Sequence, residues 1–431
     1  MHSFKRLLLL VFTFTSSIAF CAQTEAARKG TEAIDDAIQP EFSINDKTLE
    51  LSALKQKMAA RNIPAVSIAF MQNHKITWTR TEGVIDFVSQ REIDQNTLFK
   101  TTSISKPVFA NVLLEYRQAS DIRLETNDLP SIKSWQIPER KWFKSRPVNL
   151  RDLSSHPTGT TAHGFKTNAA KLGVPTVIEM LKEAGPGNAD AILVDIEPSA
   201  TLQDTNSNTT LAQVVLHNQS RMPLQALSRS PNLDPLSIEQ SPYPQPVKQL
   251  AENAALPHLV IGSSIKGAAY PYPRQSTAGL WATPSELLKL ASKVQKSYQA
   301  EGKSLIVSKT ESELLTRQIE SMGIEFYLEQ QNGTVISLFH DGANDGFTNK
   351  VFIYAKTGDG IAIMTNSNNG SELINDLLSQ VSEVYGWNKA SQIEEEVAVL
   401  KSELRELVMG DDTDSEPLQS TVVIVAEGEQ F

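Results

Sequence analysis

The stretch from Thr97 to Leu114 leaves this chain few options. A strand-like end, Thr97-Leu98-Phe99, is followed by Ser103-Ile104-Ser105-Lys106 and then by Val108-Phe109-Ala110-Asn111-Val112-Leu113-Leu114. The last run is apolar almost all round, which makes it a buried helix and not a surface one. If that helix starts near Ser103, then Ser103 and Lys106 are three residues apart and share a face. They lie at the helix end where backbone N–H groups have no intrahelical acceptor. A serine hydroxyl is a poor nucleophile until a neighbour takes its proton. A lysine held neutral by burial can be that neighbour. The spacing Ser-x-x-Lys is therefore a candidate acyl-transfer site. A serine three residues before a lysine is also common by chance, so the rest of the chain must supply the weight.

Composition bounds the setting. The chain has 431 residues, 40% hydrophobic and 21% charged, which is ordinary for a globular protein of one large or two smaller domains. Its start reads as a targeting segment: a short basic region, Met1 to Arg6, then an apolar run from Leu7 to Phe20. That run is too short to span a bilayer comfortably, so no stable transmembrane span is expected. Small residues at Ala19 and Cys21 suit cleavage after Cys21, which implies an exported, periplasmic or secreted protein. Lipid attachment at Cys21 is the competing reading, and the bulky Phe20 before it disfavours that. Cys21 is the single cysteine. Cleavage after it leaves no disulfide, thiol nucleophile or cysteine metal site. The net charge of −10 is concentrated at the end, where residues 391–431 hold eleven acidic residues against two basic ones. Outside the tail the chain is nearly neutral, which gives no footing for a nucleic-acid partner.

The pattern along the chain predicts a signal peptide over 1–21, a polar lead-in over 22–45, a main domain over 46–388 and an acidic helix and tail over 389–431. Leu51 to Arg61 reads as a helix. Ala65 to Phe70 and Lys75 to Arg80 read as a strand pair turned at Gln72-Asn73-His74. A helical insert spans about 115–300, with helices expected at Asn149–His156, Val177–Ala184, Thr209–His217 and Pro284–Lys293. Strands return at Val335–His340, Thr348–Ala355 and Gly360–Asn366, and a helix over Ser371–Tyr385 closes the domain. The fold class is α/β in the broad sense (α+β): an antiparallel sheet built from both chain ends, flanked by helices. In the tail, Ile393, Val397, Leu400, Leu404 and Leu407 form a short heptad stripe, which suits an amphipathic helix packing on its own domain better than a dimer contact. The oligomeric state is left open.

Acyl transfer also needs a second proton handler and donors for the developing oxyanion. Two segments can supply them. One is the polar run Asp204-Thr205-Asn206-Ser207-Asn208, before the helix at Thr209. The other is His340-Asp341-Gly342, at the end of an expected edge strand, where Gly342 allows close approach. With these segments the chain resembles the serine β-lactamase-like, or penicillin-binding-protein-like, hydrolases, near class C β-lactamases, D-alanyl-D-alanine carboxypeptidases and esterases. The resemblance rests on Thr97-Leu98-Phe99 leading into Ser103-Ile104-Ser105-Lys106, then Leu153-Ser154-Ser155-His156-Pro157-Thr158-Gly159, then Thr277-Ala278-Gly279-Leu280-Trp281-Ala282-Thr283, then His340 to Phe347, then Met364-Thr365-Asn366-Ser367. These occur in family order over about residues 50–388, a far more specific signal than any one motif.

The resemblance implies roles. Ser103 matches the acylated nucleophile and Lys106 its activating amine. His340 and Gly342 match a His-x-Gly version of the family's Lys-Thr-Gly strand, and Asn206 matches the Asn of its Tyr-x-Asn loop. The implied substrate is a small molecule or peptide, peptidoglycan-derived in one reading, with no metal or organic cofactor. One position departs: Asp204 stands where the family has tyrosine. An ionised aspartate is shorter, only accepts, and would favour the charged form of a nearby Lys106. Two readings follow, an active site in which Lys106 or His340 handles protons, and a weakened or inactive site in a binding protein. Lys356-Thr357-Gly358 spells the strand motif literally. It sits between two expected strands with Asp359-Gly360 after it, which reads as a hairpin turn. His156 reads as structural, and Trp135, Trp281 and Trp387 as core.

Overall fold

The computed structural model describes residues 50–120, 123–125, 129–132, 135–136, 148–155, 177–181, 206–229, 238, 243, 253–265, 274–300, 316–318, 321–331, 334–344 and 346–387. The targeting segment, the lead-in, the heptad stripe and acidic tail, Asp204 and His156 lie outside the described residues. In chain order the elements are α1 (Glu50–Ala60), β1 (Ala65–Gln72), β2 (Lys75–Gly83), β3 (Phe99–Lys100), a 3₁₀ turn (Thr102–Ile104) and α2 (Ser105–Gln118). The helical insert contributes α3 (Leu150–Ser155), α4 (Val177–Leu181), α5 (Asn206–Ser220), α6 (Leu224–Ser228) and α7 (Gln275–Ala278). Then come β4 (Trp281–Ala282), α8 (Pro284–Ala300), β5 (Tyr327–Gln331), β6 (Thr334–Asn344), β7 (Phe347–Tyr354), β8 (Gly360–Thr365) and α9 (Gly370–Val384). Residues up to Gln380 form one compact unit, and those from Val381 a second.

The main sheet has six strands in the order β2-β1-β8-β7-β6-β5, every pair antiparallel. The expected architecture is therefore present. The two ends of the unit meet at the β1–β8 ladder, where Val66 faces Thr365 and Ile68 faces Ile363. Burial follows strand position. The central strand β8, Gly-Ile-Ala-Ile-Met-Thr, is buried along its whole length, whereas the edge strand β2 is fully buried only at Trp78. A strand covered on both faces reads as a continuous apolar run, and an edge strand does not.

The longest helix of the insert side, α8, starts where side chains cap it. Thr283 and Glu286 form a reciprocal box at the head of α8: Glu286 N–H donates to Thr283 Oγ1 at 3.3 Å, and Thr283 N–H donates to the Glu286 carboxylate at 3.0 Å. Pro284 takes the first helical position, where no N–H is needed. From there Leu287, Leu288, Leu290, Ala291 and Val294 are buried, and α8 packs on β1, β7 and β8. In α2, Val108 to Leu114 are all buried, as the apolar run predicts. On α1 and α9, Lys57 pairs with Asp376 at 3.0 Å and Arg61 with Glu372 at 3.1 Å.

One side chain fastens the end of the sheet nearest the nucleophile segment. Asn366, directly after β8, accepts from Ala65 N–H at 2.8 Å and donates to Ile85 O at 2.9 Å and Leu256 O at 3.1 Å. It thereby joins the start of β1, the loop after β2 and the loop at 253–265 in a fully buried position. A buried group left unsatisfied costs about 1–3 kcal/mol, and Asn366→Ala orphans several. The expected loss is about 3 kcal/mol in urea unfolding, and a loss below about 1 kcal/mol would show that Asn366 is not the fastener its contacts describe.

Candidate active site

The nucleophile segment is clamped before it becomes helical. The short strand β3 pairs with β4, Phe99 facing Ala282 and Lys100 facing Trp281. Thr101 extends the pairing, its N–H donating to Leu280 O at 2.9 Å and its hydroxyl to the same oxygen at 3.1 Å. Leu280 N–H in turn donates to Ser105 Oγ at 3.1 Å, and Ser105 Oγ lies 2.9 Å from Thr101 Oγ1. The two serines of the tetrad thus differ completely. Ser105 is fully buried and spent on this clamp, whereas Ser103 is half-exposed between buried neighbours.

Thr102, immediately before Ser103, has φ +53° and no exposed surface. A β-branched residue rarely enters that region, and such strain costs about 1–3 kcal/mol. The strain is held by its surroundings. Thr102 Oγ1 donates to Thr101 O at 2.7 Å, and Asn349 Nδ2 on β7 donates to Lys100 O at 2.9 Å and to Thr102 Oγ1 at 3.4 Å. The turn raises Ser103 while Lys106, at 2% exposure, stays inside the first turn of α2.

Strand β6 supplies the opposite wall. A Cβ on Gly342 would lie 2.2 Å from Thr102 Oγ1 and 2.6 Å from Thr101 O, so only glycine lets β6 approach this closely. Pairing with β5 ends at Phe339, whereas pairing with β7 runs to Asn344. Residues 340–344 are therefore laddered on one side only, and this half-free length packs beside the 3₁₀ turn. His340, two residues before Gly342 on the same face of β6, is also buried. Its Nδ1 is 2.6 Å from Asp341 O, and its ring lies 5.7 Å from Tyr327. It lines a cavity of about 30 Å³ with Ile104 of the 3₁₀ turn, Pro107 and Val108 of α2, and residues of α8. The structure thus places His340 beneath α2, among apolar side chains.

The helical insert brings Asn206 to the same region indirectly. Asn206 opens α5, and its carbonyl accepts from Thr210 Oγ1 at 2.7 Å and Thr277 Oγ1 at 3.4 Å. Thr277 belongs to α7, which packs on α5, on α2 and on the 3₁₀ turn. A further tie runs from Thr209 Oγ1 to the buried Glu325 carboxylate at 2.7 Å, and Glu325 N–H donates to Ser154 O at 3.0 Å. Ser103, Lys106, His340 and Gly342 are thus gathered around one turn, with Asn206 attached through α7.

Lys356-Thr357-Gly358 lies in the turn between β7 and β8, with Gly358 at φ +81° and its carbonyl accepting from His74 N–H at 2.8 Å. It is a hairpin, as Asp359-Gly360 indicated. Trp135 and Trp281 are buried, the first donating to Leu181 O at 3.1 Å and the second edge-on to Phe347. Among the described residues, no three His, Cys, Asp or Glu side chains lie together as metal ligands.

Three participants escaped sequence reasoning: Thr102, Asn349 and Glu325. Asn349 left one signal, an asparagine inside a strand, where that residue is depleted. Gly342→Ala tests the closeness of the two walls. Its methyl must push β6 from the turn, at about 1–3 kcal/mol of stability. The rate of Ser103 modification by a fluorophosphonate is expected to fall at least tenfold, and a wild-type rate would show that the approach is not needed.

Comparisons with known proteins place the fold. Among solved structures, SurE aligns with a TM-score of 0.60 at 16% identity, covering 82% of this chain and 77% of that one. A D-amino acid amidase from Ochrobactrum anthropi SV3 aligns at 0.59 and 16% identity over 79% of this chain and 99% of its own. An octameric penicillin-binding protein homologue from Pyrococcus abyssi aligns at 0.58 and 17% identity, covering 75% and 74%. These likenesses establish the fold. A curated relative, an unguisins hydrolase of Aspergillus violaceofuscus, is 24% identical over 127 residues, which is 27% of this chain and 21% of that protein's length. The Beta-lactamase family model matches residues 52–381, from α1 through the whole sheet into α9, so the chain belongs to the beta-lactamase family.

Proposed function

We propose that this chain is an exported serine hydrolase that opens an amide or ester bond through an acyl-enzyme on Ser103. The observation that carries the reading is the contrast within the tetrad: Ser105 is locked away, while Ser103 follows the strained Thr102 in a turn packed against Gly342 and keeps some exposure, with Lys106 buried one turn on. In the first step Ser103 Oγ attacks the carbonyl carbon and its proton passes to the Lys106 amine. The carbonyl oxygen becomes an oxyanion, which backbone N–H groups of the 3₁₀ turn and of the half-free β6 edge can receive. The C–N or C–O bond then breaks, and the departing nitrogen or oxygen takes the proton from Lys106. Water then gives a proton to the same amine and adds to the acyl carbon, the bond from that carbon to Ser103 Oγ breaks, and Ser103 Oγ takes the proton back from Lys106, which frees the acid and restores both groups. No metal or organic cofactor is required. The substrate is a small molecule or peptide, and a peptidoglycan fragment suits an exported member of this family. The amidase among the similar structures favours an amide over an ester.

A second reading has one residue in its favour. Asp204 stands where the resemblance calls for tyrosine, and an aspartate near Lys106 would hold the amine charged and idle. In that reading the domain binds its ligand without turning it over. The discriminating measurement is covalent labelling of the full chain with a fluorophosphonate. The wild type is expected to give one adduct, mapped to Ser103, and Ser103→Ala none. Lys106→Gln is expected to slow labelling about 100-fold or more, the ordinary contribution of a positioned base. A folded wild type that takes up no label would overturn the hydrolase. Asp204→Tyr raising turnover of a chromogenic amide at least tenfold would identify a degraded native site.

A further inference from the structure

We propose that Asn349, on the reading of Ser103 as the nucleophile, is a positioning residue: it acts through Thr102 to hold the turn that presents that serine. Asn349 lies on β7, directly opposite Gly342 of β6 and opposite Met364 of β8. It is 1% exposed, in a strand position where asparagine is depleted. Directly paired residues share a face of the sheet, so Asn349 is on the face that Gly342 turns to the 3₁₀ turn. Both strands pack on that turn.

The orientation of the amide is fixed by its partner. Lys100 O can only accept, so the atom 2.9 Å from it is Nδ2. The same nitrogen lies 3.4 Å from Thr102 Oγ1. Thr102 Oγ1 gives its own proton to Thr101 O at 2.7 Å, which leaves it free to accept. One amide nitrogen, with its two protons, thus spans the bend between the end of β3 and the residue at φ +53°. The other end of the amide is unused: Asn349 Oδ1 is buried and has no hydrogen-bond partner among the described residues. A leucine has nearly the same shape and would fill this space without an orphaned oxygen. A buried amide that is half satisfied needs a reason, and the two bonds from Nδ2 supply it.

The reason lies in Thr102. A β-branched residue prefers negative φ, so the turn must be held from outside. The Thr102 hydroxyl has two partners, Thr101 O and Asn349 Nδ2. The first is local and moves with the turn. The second reaches the sheet. Gly342 confines Thr102 as well, since its Cα leaves no room for a methyl group there, but a steric wall only excludes. The bond from Nδ2 is directional and names the conformation that is kept. A return of Thr102 to negative φ would swing Ser103 relative to β6, and with it the face that a substrate carbonyl must meet. Strain kept by surrounding contacts is a property of functional sites.

The test uses the full chain with Cys21→Ser, which removes the only native thiol, and Ser103→Cys, which places one at the nucleophile position. Asn349→Leu is expected to slow alkylation of that thiol by iodoacetamide about fivefold or more, with the urea midpoint close to its starting value. Glycine enters positive φ without a holder and carries no hydroxyl. In a Thr102→Gly background, adding Asn349→Leu is therefore expected to change the rate by less than about twofold, a coupling that a merely structural asparagine would not give. The thiol reports geometry and not catalysis. A wild type that takes up no fluorophosphonate would overturn the hydrolase and leave this measurement intact. Asn349→Ala serves if the leucine variant does not fold. An alkylation rate unchanged in the folded variant would overturn the proposal, as would a loss that persists in full beside Thr102→Gly. So would failure of both variants to fold, which would make Asn349 a residue of the whole sheet and not of the turn.

Discussion

The contact between Gly342 and the 3₁₀ turn is the constraint on which the rest of this site depends. A strained threonine, a half-laddered strand and the start of a buried helix meet where a single methyl group would not fit. Two of the three are unfavourable alone. Thr102 at φ +53° costs energy, and an edge left without β5 forgoes ladder hydrogen bonds. What offsets them is burial: α2 enters the core with every residue from Val108 to Leu114 covered. The apolar run therefore has two effects. It anchors the helix, and its anchorage holds Thr102 in a conformation that local preference would reject.

Ser103 and Gly342 are far apart in sequence, and the fold shortens that separation by closing the sheet with strands from both ends. The β1–β8 ladder and the Asn366 fastener bring the last strands beside the first. Once β8 is central, β7 and β6 follow outward by simple hairpins, and β6 arrives at the 3₁₀ turn with its glycine facing inward. The pairing of β3 with β4 repeats the device on a smaller scale, drawing Leu280 from the end of the insert onto Thr101 and Ser105.

Much of this was legible in the sequence because it is written in short-range patterns. The strands at 334–344, 347–354 and 360–365 alternate or run apolar between turn residues, and Asp359-Gly360 marked the Lys-Thr-Gly lookalike as a hairpin. The start of α8 was visible in Pro284, and Thr283 with Glu286 completes it. What stayed hidden depends on distant contacts. Ser103 and Ser105 look alike in the tetrad, and only the approach of Leu280 makes one structural. Thr102 has a local preference opposite to its conformation, so no propensity could reveal it. Glu325 reads as a surface acid, yet its carboxylate lies buried against Thr209 of α5. His340 was expected at the strand edge beside the serine. The strand reaches the 3₁₀ turn, but it is not the edge of the sheet, since β5 pairs outside it as far as Phe339, and the face that His340 shares with Gly342 puts the imidazole under α2.

The site is assembled from two sources that differ in how firmly they are fixed. Ser103, Lys106 and Gly342 are set by the sheet, the β3–β4 pair and the buried helix. The Asn206 segment comes from the insert, and among the described residues it is tied to α7, which packs on the turn, by threonine hydroxyls. Among the described residues, the hydrogen bonds that hold the 3₁₀ turn and the clamp before it come from Leu280 beside β4 and from Asn349 on β7. In the proposed mechanism the serine and its proton carrier Lys106 are therefore held by the same elements, because Lys106 lies in the first turn of the buried helix that follows Ser103, and whatever the insert contributes is added to a pair already fixed.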